Sequence, residues 1–287
     1  MKKILISIVI ILILIVIFVI SNIFGITKVQ NFNGETETMF YLKTKNTNTW
    51  FNFVKKDINE LKINDLVLYK NPIVFDDNFS RKQNILGRLV AKAGDKFEIN
   101  KAQVFLNDEI LTSGENLHFV YRITMTDTTD FNAFLKDYNL KIKNIINAKS
   151  CDFISTQQVA DELQNNAQIV NLRKVVKNLE KYSYDIFPFS PYYFWDTDNF
   201  GPVTLPQKGK TITLNLKNHY LYQMLINNQE NNIMILGNAI FTINDKITNQ
   251  YTFKKNYYFI LNDNRHETND SRSYGFIPED QIVGKIL

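Results

Sequence analysis

The chain has 287 residues, 45% hydrophobic and 22% charged, with a formal net charge of +4; it is long enough to bury a sizeable core and too mildly basic, its lysines too scattered, to carry a nucleic-acid footprint. Its single cysteine, Cys151, excludes an intrachain disulfide. The histidines His118, His219 and His266 lie far apart without ligand-type spacing, so no metal site is expected.

Lys2 and Lys3 precede an apolar run from Ile4 to Ile20, interrupted only by Ser7 and continuing weakly to Ile26. At 1.5 Å per residue a helix of roughly 17–23 such residues spans a bilayer core. Ser21-Asn22-Ile23-Phe24 offers no Ala-x-Ala cleavage site, so an uncleaved anchor over residues 4–24 is expected rather than a removable signal peptide. The two lysines keep residues 1–3 cytoplasmic and send the remainder across the cytoplasmic (inner) membrane to its outer or periplasmic side, as a single-pass protein.

Thr36-Glu37-Thr38-Met39 reads, by itself, as a polar strand with surface threonines. Asn64-Asp65-Leu66-Val67-Leu68-Tyr69 is a turn feeding a core strand, and residues 87–110 alternate as hairpin strands with Gly94-Asp95 in a turn. From 119 to 182 the periodicity changes. Strands are expected over Phe119 to Met125, Lys149 to Ser155 and Val170 to Val176, and helices over Asp130 to Tyr138 and Thr156 to Asn165, with Ser155 and Gln158 spaced as a capping box. This pattern describes a small α/β insert.

The stretch Phe187-Pro188-Phe189-Ser190-Pro191-Tyr192-Tyr193-Phe194-Trp195, closing on Asp198-Asn199-Phe200-Gly201-Pro202, is an aromatic loop that either packs on the sheet or meets a membrane interface. Trp50, Phe51 and Phe53 pose the same alternative. A helix over 217–229 and a hairpin over 233–247, with Asn238 at its turn, lead through Thr252 to a strand at Tyr257 to Leu261. A polar turn carrying Asp263, Arg265, Asp270 and Arg272 follows, then Gly275, Pro278 and a strand beginning at Ile282. Carboxylates and guanidiniums this close can pair mutually and hold the loop in one geometry; charge composition alone describes a solvated turn equally well.

The order Asn262-Asp263-Asn264-Arg265, Asp270-Ser271-Arg272, Gly275 resembles the C-terminal signature block of bacterial type I signal peptidases (leader peptidases, peptidase family S26). Asn262 stands where that block has Gly, and Asn tolerates the same positive-φ backbone best. The segments at 36–39, 64–69 and 87–95 resemble the family's earlier blocks in order, and the 119–202 region resembles the accessory region of its longer-chain branch. The resemblance implies a mainly β, antiparallel signal-peptidase fold in two parts, 25–118 and 183–287, with the α/β insert at 119–182 and an N-terminal transmembrane helix. It implies endoproteolytic removal of signal peptides from exported preproteins, without metal or cofactor. The bilayer, an active signal peptidase paralogue and the secretion machinery are the further partners it suggests.

In that family a Ser nucleophile is activated by a buried, neutral Lys. The resemblance puts Thr38 at the nucleophile position, Thr36 at the oxyanion position, Thr268 where a hydroxyl lines the base site, and Gly87 where the lysine belongs. Tyr41 replaces a Pro. Glycine offers no base, and Lys82 and Lys92, each five residues away, fall on the opposite face of a regular strand; Lys92 would need a bulge to reach in. Two outcomes stay open at this point: an atypical endopeptidase using Thr38, and a non-catalytic homologue that binds preproteins.

Overall fold

A computed structural model of the chain describes residues 61–72, 84–112, 116–127, 130–177 and 183–286 in full, and the backbone strands at 24–30, 36–42 and 54–55. Residues 4–23 of the expected anchor lie outside the described residues, as do Trp50, Phe51 and Phe53, while Phe24 opens a β-strand rather than ending a helix. Among the described residues no helix is long and apolar enough to cross a membrane.

The first strands, β1 (Phe24–Gln30) and β2 (Thr36–Leu42), form an antiparallel pair. After β3 (Val54–Lys55) come β4 (Leu66–Lys70) and β5 (Asn84–Ala91), paired antiparallel, with Asn64 turning the chain into β4 at a φ of 74°. Ile85 and Leu89, on one face of β5, are buried while Leu86 and Arg88 opposite are only partly so, the alternation a strand imposes. A meander follows: β6 (Lys96–Asn100), β7 (Gln103–Leu106) and β8 (Glu109–Ile110).

The 119–182 stretch forms its own sheet. Strand β9 (His118–Met125) leads to α1 (Phe131–Lys136), β10 (Ile142–Asn147), β11 (Ser150–Thr156), α2 (Gln157–Gln164) and β12 (Ile169–Lys174). The sheet is antiparallel throughout, ordered β10-β11-β9-β12, and encloses a core of Ile123, Met125, Phe131, Leu135, Cys151, Phe153, Ala160 and Leu163. It therefore holds one strand, β10, more than the sequence pattern indicates. The N-cap of α2 is Thr156, whose hydroxyl accepts from the Val159 amide at 3.4 Å, so the Ser155/Gln158 capping box does not form.

The chain then rejoins the first body through β13 (Phe200–Thr204), which pairs with β6, and β14 (Thr211–Thr213). Helix α3 (His219–Met224) runs on into a π turn at Leu225–Gln229. The hairpin β15 (Met234–Gly237) and β16 (Ile240–Ile243) turns at Asn238 and Ala239, both at positive φ, as a tight two-residue loop requires. Short strands β17 (Lys246–Ile247) and β18 (Gln250–Thr252) lead to β19 (Tyr257–Leu261). Then come α4 (Ser271–Tyr274), β20 (Ile277–Pro278) and β21 (Ile282–Ile286).

The main sheet runs β2-β1-β5-β4-β21-β3, and β19 joins it by pairing with the second half of β5. Every residue of β19 is buried. Tyr257, Phe259 and Leu261 face the larger core with Phe97, Phe200 and Phe276, whereas Tyr258 and Ile260 face a second core with Tyr69, Ile85, Leu89 and Ile277. One strand is thus the common wall of two cores, which is why its sequence is apolar without alternation. Each large side chain so buried contributes about 1.5–3 kcal/mol. The aromatic loop divides: Phe187, Tyr193, Trp195 and Phe200 are buried in the larger core, while Phe189, Tyr192 and Phe194 are exposed.

Candidate active site

The signature loop after β19 is built on two buried acids. Asp270 caps α4: its carboxylate accepts from the Arg272 amide at 2.9 Å, from the Arg272 guanidinium at 2.6 and 3.0 Å, and from the Asn262 amide at 2.9 Å. Arg272 Nη1 also donates to the carbonyls of Arg265 (2.7 Å) and Thr197 (3.1 Å). Both side chains are about 1% exposed, and their charges are matched by this bonding. Asp263 pairs outside the loop, with the Arg88 fork, Nε to Oδ1 at 2.6 Å, and Arg88 Nη1 reaches Asn64 O at 2.7 Å. This ties the loop to β5 and to the turn before β4.

Mutual pairing of all four charged groups does not occur. Arg265 is 7% exposed, and among the described residues no partner reaches its Nε, Nη1 or Nη2. Asn262, expected at positive φ, does not adopt it; its side-chain oxygen accepts from the Asn264 amide at 2.8 Å and makes the turn that way. Gly275 does sit at φ +78°, and a Cβ there would stand 2.8 Å from the Phe187 ring.

Gly87 occupies a packed position. On one edge of β5, the parallel pairing with β1 ends at Ile85, opposite Gln30, and the antiparallel pairing with β19 begins at Arg88, opposite Leu261. Gly87 falls between them. A Cβ added there would lie 2.5 Å from Ile260 Cγ2 and 3.3 Å from Tyr69 Cε1. Tyr69 is fully buried and donates its hydroxyl to Asn269 O at 3.4 Å. Burial, reinforced by the nearby Asp270 charge and Tyr274 and opposed by Arg272, holds its pKa well above the ordinary phenol value. Tyr69 keeps its proton at neutral pH and is no substitute base.

Of the remaining positions, Thr36, Thr38 and Lys92 do not converge on Gly87. Thr268 is half-buried beside the Tyr69 contact, its carbonyl accepting from the Asp270 amide at 2.7 Å. Lys92 donates its amine to Leu61 O at 2.9 Å, beyond the end of β5, and Lys82 lies outside the described residues. Thr36 and Thr38 lie on β2, opposite Gln30 and Lys28 of β1. Since β1 intervenes, Thr38 is two strands across from β5 and four positions short of Gly87, a backbone separation on the order of 15 Å. Residues that sequence reasoning did not single out are Arg88, Tyr69 and Lys28. Arg88 could have been found as the basic residue next to Gly87 in the hairpin block, whereas Tyr69 and Lys28 carry no local signal.

A family model described as signal peptidase, peptidase S26, matches residues 2–173 and 206–287. Signal peptidase I of Buchnera aphidicola subsp. Schizaphis graminum (strain Sg) is 41% identical over 70 residues, covering 21% of this chain and 21% of that protein, so the match spans about a fifth of the relative's length. The crystal structure of a signal peptidase I from Enterococcus faecalis V583 aligns over 80% of this chain and 100% of its own at 14% identity, with a TM-score of 0.30.

Proposed function

The chain belongs to the signal peptidase family, peptidase S26, and from that membership we propose that it engages the signal peptides of exported preproteins at the outer face of the cytoplasmic membrane, anchored by the apolar run that begins at Ile4. The observation that carries the finer reading is the packing at Gly87: Ile260 and Tyr69 fill the space that the family's lysine would need. Loss of a general base typically costs about 10²–10⁴-fold. A threonine hydroxyl without the family's lysine to activate it stays protonated at neutral pH. The protein is therefore read as a preprotein-binding member that does not use the family's dyad, acting beside an active signal peptidase or the secretion machinery.

The test incubates the purified full-length chain, in detergent, with a preprotein carrying an Ala-x-Ala site. The expected outcome is retention of the preprotein without cleavage, unchanged in Thr38→Ala. Cleavage by the wild type that Thr38→Ala abolishes would overturn the non-catalytic reading. One observation favours such a second reading. The β1–β2 register sets Lys28 directly opposite Thr38. An endopeptidase with its base moved from β5 to β1 would then lose cleavage in Lys28→Met as completely as in Thr38→Ala.

A further inference from the structure

Arg265 poses a problem that the protein itself does not solve. Its backbone is fixed: the amide donates to His118 O at 2.9 Å, and the carbonyl accepts from Arg272. Its guanidinium is buried, yet its three nitrogens have no partner among the described residues. An unpaired buried charge costs several kcal/mol. Desolvation, with Arg272 adding like-charge repulsion, lowers the Arg265 pKa to about 10 against the weaker pull of Asp263 and Asp270. Both effects mark a site short of negative charge.

Arg265 lines a cavity of about 200 Å³ between the signature loop and the accessory sheet, its guanidinium buried behind the cavity wall. Lys143 on β10 and Lys177 after β12 line the same cavity, as do His266, Asp152 and Asp198. Only Asp198 keeps an unpaired negative charge there, against three cationic side chains. Asp152 is held bidentately by Arg122 at 2.7 and 2.9 Å, and Asp198 accepts from the Lys177 amide at 2.8 Å. Lys143 is held below the ordinary amine pKa by desolvation, with Lys177 pushing the same way and Glu267 and Asp152 opposing.

We infer that this cavity is a binding site for a phosphate-class oxyanion, gripped by the Arg265 guanidinium at its floor and by Lys143 and Lys177 at its mouth. A guanidinium with every N–H unspent presents a fork matched to phosphate oxygens. Three cationic groups around one cavity suit a ligand carrying about −1.5 to −2 charge better than a single carboxylate. The ligand is free phosphate or the phosphate of a lipid headgroup. The site is independent of whether the chain cleaves preproteins.

Thermal unfolding of the full chain in neutral detergent tests it, with excess sodium phosphate compared with sodium chloride at equal ionic strength. Phosphate should raise Tm by about 3 °C or more over chloride. Lys143→Gln with Lys177→Gln, both exposed positions, should weaken phosphate binding about tenfold or more and leave the unliganded Tm unchanged. Arg265→Gln should abolish the phosphate effect while leaving the unliganded Tm equal or higher, because an uncompensated charge is removed. Micelles doped with phosphatidic acid separate the sources. Stabilisation that exceeds free phosphate and is competed by it assigns a lipid headgroup, and stabilisation by free phosphate alone assigns a soluble anion. Equal Tm in phosphate, chloride and phosphatidic acid overturns the site, as does a phosphate effect that survives Arg265→Gln.

Discussion

The four charged residues of the signature region behave differently although sequence presents them alike. Asp270 and Arg272 form a closed pair, so Asp270→Asn should cost about 3–5 kcal/mol in urea unfolding, because Arg272 is left charged and buried. Gly87→Ala should cost about 1–3 kcal/mol, since its Cβ meets the β-branched carbon of Ile260. Ile260→Leu, which removes that branch, should return part of the loss; independent, additive effects would show that the contact is not the cause. The pairing of Asp270 with Arg272 was legible, two positions apart in a recognisable block. The partner of Asp263 was not: Arg88 lies 175 residues away, and composition cannot say which cation a carboxylate will meet. The isolation of Arg265 follows from that choice, with Asp263 spent on Arg88 and Asp270 on Arg272.

Among the elements, the accessory sheet is the easiest to isolate experimentally because it has its own core. Cys151 sits in it, fully buried, with burial and then Asp152 pushing the thiol pKa up to about 11. A thiolate-directed alkylating reagent at pH 8 should modify the native protein only as fast as this sheet opens. Labelling at the rate of an unfolded peptide would contradict the burial. Thr156→Ala should speed that labelling by removing the α2 cap, worth about 1 kcal/mol. Strands β9, β11 and β12 and both helices were legible from periodicity, although the cap that forms on α2 is Thr156 and not the Ser155 and Gln158 box. Strand β10 was not, because at the sheet edge five of its six residues are exposed and no apolar alternation marks it.

For the whole molecule, the antiparallel β character was readable in the sequence, whereas the closure of the sheet through distant partners was not. Buried phenols report on that closure. Tyr69, Tyr222, Tyr257 and Tyr274 are all raised above the ordinary value, burial being the first cause in each. Their folded pKa values exceed the unfolded value of about 10. The stability they carry is complete below that pH and is lost as pH rises through and beyond it. The last part of the tyrosinate absorbance, that of the buried phenols, should therefore rise together with the loss of circular dichroism above about pH 10; absorbance that is complete before unfolding would show that these four are not buried. The strand shared by two cores has a consequence for biosynthesis. Strands β4 and β5 are made early, but β19 and β21, which pair with them, emerge only after the meander, the accessory sheet and the aromatic loop. At 5–20 residues per second the interval is roughly 10–40 s. During it an apolar half-sheet waits with open edges, and a nascent chain in that state needs a chaperone to shield it until its last strands arrive.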